Sequence, residues 1–321
     1  MRELNNELPI IDLRSPCMAD VIARCRKGEK DPFSIYLPRY KKGHICAILA
    51  FIEIESDRFP ISLTDTLINL DLLKQEIYKV DSGFVIASTP EDIRKAKETG
   101  KIALVFGLEG GAPLRGNVSI LRTFHELGLR WIELTWNVRN EIGDGVNEQG
   151  ASGLSNSGRK IVQEMNRLGM IIDVAHISPN SFESVIEITE APIIASHSSC
   201  RAICNHPRNL TDQQIERIAK NGGLVGLCFY PAFLSESGHA TINDVLRHMN
   251  HIRDLVGVEY IGLGPDFIDC VVSDVAFPKD LEDTTKITNL IKPMLDEGYS
   301  VEDIQKIFSE NFLRVFDKVC S

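Results

Sequence analysis

The chain of 321 residues lacks several things at once, and each absence removes a class of explanation. No stretch approaches the roughly 18 uninterrupted apolar residues that a membrane-spanning helix needs, so no membrane partner is expected. The opening MRELNNELPIID has no apolar core of the signal-peptide kind, and the closing FLRVFDKVCS has no hydrophobic anchor tail. Basic residues are the minority, 35 Lys and Arg against 45 Asp and Glu, for a net charge of -10. Without a dense basic cluster there is nothing to attract a phosphate backbone, and nucleic acid is not an expected partner. The cysteines, Cys17, Cys25, Cys46, Cys200, Cys204, Cys228, Cys270 and Cys320, are too scattered for a disulfide framework. Reduced thiols and a cytoplasmic location are the expected reading. Low-complexity linkers are missing too, so residues 1–321 read as one domain.

What is present is an alternation of short apolar runs and amphipathic stretches. The strand candidates are Pro9–Leu13, Ile45–Ile52, Ile102–Leu108, Leu129–Thr135, Met170–Ala175, Pro192–Ser196, Leu224–Phe229 and Tyr260–Gly264. Helical periodicity fills the gaps, at Leu63–Val80, Pro90–Glu98, Ile120–Leu127, Ser157–Leu168, Pro179–Ile188, Asp212–Lys220 and Ile242–Val256, with a further pair near the end. Thr89-Pro90 and Ser178-Pro179 are start signals, and Gly100, Gly128 and Gly169 are stops. Eight strand–helix units in series predict an α/β fold, a single (β/α)8 TIM barrel. A doubly wound open sheet is the alternative, disfavoured because no Gly-rich phosphate loop follows the first strand.

The residues that follow the strands carry the chemistry. Two runs, GMIIDVAH and APIIASH, drive apolar strands into His176 and His197. Asp12 and Arg14 follow the first strand, Glu109 the third, Trp136-Asn137 the fourth, Tyr230 the seventh and Asp266 the eighth. In a barrel all those ends form one mouth. Glu109, His176, His197 and Asp266 together suit zinc, with manganese, iron or cobalt as alternatives. An ion there would activate a water, and Asp266 would pass a proton to a leaving amine. Arg208, in the loop after His197, is placed to hold a substrate carboxylate. Read singly, Glu109 could cap a helix, Asp266 could organise a loop, and Arg208 could pair with a surface acid.

Longer motifs carry a likeness. GLEGG at Gly107, GLRWIELTWNVRN at Gly128, GLSNSGRKIVQEMNRLGMIIDVAHIS at Gly153, PIIASHSS at Pro192, HPRNLTDQQI at His206, NGGLVGLCFY at Asn221 and GLGPDF at Gly262 resemble the renal (membrane) dipeptidases, peptidase family M19. The resemblance implies a metal-dependent barrel with two zinc ions that cleaves dipeptides, and a homodimer. It implies Glu109 as the carboxylate between two metals, His176 and His197 as ligands of the second, Asp266 as the acid near the water, and Arg208 as the carboxylate clamp. Asn137, Tyr230 and Arg14 are the further substrate-binding candidates.

One segment departs from the family pattern. Its first strand ends in Asp-Gly-His-x-Asp, whose His and second Asp bind the first metal; here Asp12-Leu13-Arg14-Ser15-Pro16 stands in that place. A guanidinium has no free lone pair and proline has no side-chain donor atom, so the first metal site is expected to be lost and at most one zinc retained. Arg14 either pairs with Glu109 and Asp266 or swings out to solvent. Cys17, Cys200, Cys204 and Cys270 are candidate replacement ligands. Two functions follow: a dipeptidase-like hydrolase of dipeptides or small amides with one metal, or a catalytically silent relative that binds a peptide-like ligand or a protein partner.

Overall fold

Apolar residues dominate every strand, and their alternation sorts them into two layers. Ile11, Leu13, Ala47, Leu49, Phe51, Ala103, Val105, Trp131, Ile171, Ile194 and Leu224 fill the inside of a cylinder. Ile10, Ile48, Ile52, Leu104, Phe106, Ile132, Ile172, Val225 and Leu263 face outward, under the helices. The computed structural model describes residues 8–53, 61–79, 82–268, 272 and 274–320.

The strands are β1 (Ile10–Ser15), β2 (Ile45–Glu53), β3 (Phe84–Ile86), β4 (Ile102–Glu109), β5 (Trp131–Glu133), β6 (Ile171–Asp173), β7 (Ile194–Ser198), β8 (Leu224–Leu227) and β9 (Ile261–Leu263). All pair in parallel, in the order β2-β1-β9-β8-β7-β6-β5-β4. The pairing of β2 with β4, from Ala47↔Ala103 to Glu53↔Glu109, closes that sheet into an eight-stranded TIM barrel. The ninth strand, β3, pairs with the first three residues of β4; it was not expected, being only three residues set between Gly83 and Ala87.

The helices Pro90–Glu98, Pro179–Ile188, Asp212–Lys220 and Ile242–Val256 have the expected bounds. Thr89 forms a reciprocal cap with Asp92, and Ser178 Oγ accepts from the Ser181 N–H. Helices Cys17–Arg26 and Tyr36–Lys42 were not foreseen. Among the described residues no helix is long and apolar enough to cross a membrane.

Trp131 shows how tightly the cylinder is filled. A Cβ on Gly107, in the neighbouring strand, would lie 2.3 Å from the indole, while the Trp131 Nε1–H donates to the Val105 carbonyl at 2.9 Å. Three boundaries differ from expectation in ways that matter for the site. β1 runs on to Ser15, so Arg14 is a strand residue; β7 runs on to Ser198, so His197 is as well; β5 stops at Glu133, which makes that glutamate a strand end.

Candidate active site

The pairing register puts three acids in one layer across the carboxyl ends of the strands. Glu109 on β4 pairs with Glu133 on β5, which pairs with Asp173 on β6. Asp173 Oδ1 accepts the backbone N–H groups of Ala175 and Ser196, tying β6 to β7. The chain then turns so sharply that His176 takes φ +60, while Asp266 beyond β9 takes φ +58. Left-handed backbone is strained for residues with a Cβ, and it aims both side chains into the mouth.

The two imidazoles meet there. His176 Nε2 lies 2.8 Å from His197 Nε2. Asn137 Oδ1, 2.7 Å from His176 Nδ1, can only accept, which puts the ring's proton on Nδ1 and leaves Nε2 as a lone pair. His197 Nδ1 is 2.8 Å from Ser196 Oγ, an oxygen that can take either role. Burial, reinforced by Arg208 and Arg14, holds both rings well below the ordinary histidine pKa, so both are neutral, the form in which imidazole binds metal.

Ligand atoms of Glu109, Glu133, His176 and His197 all lie within 4.8 Å of one another, and all four residues are buried. Glu133 was missed because the expected strand, Leu129–Thr135, enclosed it instead of ending at it. Its signal was a lone acid in the apolar run WIELT. Both carboxylate oxygens of Glu133 lack a hydrogen-bond partner among the described residues. Burial, then the charges of Glu109 and Asp173, pushes its pKa well above the carboxylate range. Two neutral imidazoles and two carboxylates, one with unmet oxygens, are a donor set that fits a zinc-class ion.

Asp266 was expected beside the imidazoles; it faces Arg14 instead, accepting from Arg14 Nε at 3.1 Å. Arg14 does not swing out to solvent and is only 6% exposed. Its Nη2 pairs with Glu109, its Nη1 lies 3.9 Å from Glu133 Oε2, and its guanidinium sits 3.9 Å above the Phe51 ring. Burial works against the Arg14 cation, but Glu109, Asp266 and Glu133 overcome it and hold its pKa well above the ordinary value. Nε and Nη2 are thus bonded to carboxylates, while Nη1 has no hydrogen-bond partner among the described residues. Asp12 accepts the Arg14 backbone N–H at 2.9 Å, and burial pushes its pKa up to about 8.

Above the cluster opens a cavity of about 520 Å³, walled by Arg14, Glu109, Trp136, Asn137, His176, Arg208, Tyr230, Phe233 and Asp266. Arg208 is 7% exposed, and its Nη2 donates to the His197 carbonyl at 3.2 Å, so it is no surface ion pair. Asn137 spends its oxygen on His176, and the Trp136 ring stacks beside that imidazole at 6.0 Å. Tyr230 packs on Phe233 at 4.9 Å. The cysteines do not join the cluster: Cys200 Sγ donates to the His248 carbonyl and Cys204 Sγ to that of Ala232, each at 3.5 Å. Cys17 is a buried thiol at the start of a helix. Cys270 lies outside the described residues.

A closed parallel barrel with imidazoles and carboxylates gathered at the carboxyl ends of its strands is the architecture of metal-dependent barrel hydrolases. The chain belongs to the membrane dipeptidase family, peptidase family M19, whose sequence model matches residues 1–321. It is 35% identical over 295 residues to the dipeptidase aclJ of Aspergillus oryzae, covering 88% of this chain and 69% of that one. The dipeptidase tcpJ of Claviceps purpurea is 34% identical, over 80% of this chain and 60% of its own. Two crystal structures share the fold. A metallopeptidase of Rhodobacter sphaeroides, bound to a phosphinate mimic of L-Ala-D-Ala, matches with a TM-score of 0.86 at 23% identity, covering 97% of this chain and 99% of its own. The probable dipeptidase PvdM of Pseudomonas aeruginosa matches with a TM-score of 0.87 at 22% identity, covering 99% of this chain and 97% of its own.

Proposed function

We propose that the chain is a cytoplasmic metal-dependent hydrolase of dipeptides or related small amides, working with one zinc-class ion at Glu109, Glu133, His176 and His197. The observation that carries this reading is the meeting of two buried, neutral imidazoles, Nε2 to Nε2 at 2.8 Å, beside two carboxylates. When bound, the ion supplies a water acidic enough to ionise near neutral pH and polarises the scissile carbonyl. Asn137 keeps the His176 lone pair directed inward. Arg208 holds the substrate's carboxylate, and Trp136, Tyr230 and Phe233 wall the cavity against bulk water. Asp266 carries a proton to the leaving nitrogen. Arg14 stands where the family's first-metal ligands stand and acts as a fixed positive charge between Glu109 and Asp266. Residues 1–321 act as one domain, in a homodimer.

The pairing of Arg14 with Glu109 favours a second reading, in which the cation already neutralises the site and the protein binds a peptide-like ligand without turnover. Elemental analysis of protein purified without chelators, with dipeptide turnover under added Zn, Mn or Co, separates the two. The hydrolase reading expects about one ion per chain and a fall of at least about 100-fold in turnover for Glu109→Gln. No ion and no turnover would leave the silent reading.

A further inference from the structure

Among the described residues, four charged side chains line the mouth cavity: Arg14, Arg208, Glu109 and Asp266. They do not cancel evenly in space. Arg14 takes both carboxylates, Glu109 through Nη2 and Asp266 through Nε at 3.1 Å. Arg208 has no carboxylate within 4.0 Å among the described residues; its Nη2 is spent on a backbone carbonyl and its Nε has no hydrogen-bond partner. Among the described residues, the one charge facing the cavity without a counter-ion is therefore a buried guanidinium. Such a group is costly to leave alone and is relieved by an anion. The rest of the described wall, which includes Trp136, Asn147, His206, Tyr230 and Phe233, is polar in part but holds no further carboxylate.

A dipeptide zwitterion brings two charges into this space. Its carboxylate suits Arg208. Its ammonium is best met by a carboxylate, and the two on offer among the described residues are already bonded to Arg14. We propose that this cavity takes monoanionic N-acyl amino acids, an uncharged acyl group joined to an amino acid with a free carboxylate, in preference to zwitterionic dipeptides. The inference rests on the hydrolase reading only for turnover. In that case water adds across the amide, the C–N bond breaks and a C–O bond forms, and the water's proton ends on the leaving nitrogen. The products are a carboxylic acid and a free amino acid, with no redox change.

Two ligands of nearly equal shape test this, N-propionyl-phenylalanine and glycyl-phenylalanine, which differ by a methyl in place of an ammonium. Calorimetry on the full chain at pH 7, with and without added zinc and with both enantiomers, should give at least about 10-fold tighter binding of the propionyl compound, since the ammonium finds no unpaired carboxylate among the described residues. The ratio should narrow as pH rises past the ligand's amine pKa near about 8. Arg14→Met, which releases both carboxylates, should shift the preference toward glycyl-phenylalanine. Equal or tighter binding of glycyl-phenylalanine to the wild-type chain at pH 7, or a ratio unchanged to pH 9, overturns the proposal. Preference for the propionyl compound without hydrolysis of either would sink the hydrolase reading and leave this one standing. Preferential binding and hydrolysis of glycyl-phenylalanine would do the reverse.

Discussion

Arg14 decides how the mouth is charged. It is buried, it bonds Glu109 and Asp266, and it lies near Glu133. Removing one partner of a buried charge cluster leaves the others uncompensated, so Arg14→Met should cost about 3–5 kcal/mol in metal-free protein, read by chemical denaturation. Added zinc should restore part of that loss in the variant, because a second cation then meets the same carboxylates. The paired change Arg14→His with Pro16→Asp rebuilds the family pattern and should raise bound metal from one ion per chain to two. An unchanged metal content in that variant would argue that Arg14 does not stand in for the lost site. Glu133→Gln keeps the shape and removes a carboxylate donor next to both imidazoles, and zinc affinity by competition should fall about 10–100-fold.

At the scale of elements, the strands carry the fold and the loops carry the aim. The eight barrel strands were legible because each is an apolar run between helical stretches, and His176 and His197 were legible as interruptions of such runs. Glu133 was not, since its role depends on β5 ending two residues before the run does. The pairing of Arg14 with Glu109 and Asp266 was legible as one of two alternatives; the choice between them was not, because the contact with Asp266 joins β1 to the loop after β9 across 252 positions. Gly107 and Trp131 make the packing testable: Gly107→Ala drives a methyl into the indole and should cost about 1–3 kcal/mol. A further test lies where helix Ile242–Val256 meets the loop after β7. His248 accepts the Cys200 N–H at Nδ1 and contacts the Leu234 carbonyl through Nε2, and burial lowers its pKa to about 4. The unfolded chain takes up this proton below the ordinary value of about 6.5 and the folded one does not. Its contribution is thus complete above that value and lost as pH falls toward 4, about 3 kcal/mol in all. Denaturation midpoints of wild type and His248→Gln across that window should converge as pH falls; parallel curves would contradict the assignment.

For the whole molecule, the barrel brings residues from β4, β5, β7 and the loop after β6 to one point, with Arg208 in the cavity wall above it and Arg14 beside it. Family membership and fold make a metal-dependent hydrolase the natural reading, and the proposed function assigns it one ion because of Arg14 and Pro16 at the end of β1. Both meet in a single measurement: anomalous diffraction at the zinc edge from crystals of the full chain grown with zinc. The account predicts one strong peak within bonding distance of His176 Nε2, His197 Nε2 and a Glu109 oxygen, with Arg14 still paired to Asp266. No peak at the mouth, or a second ion lying where the Arg14 guanidinium now sits, would contradict it.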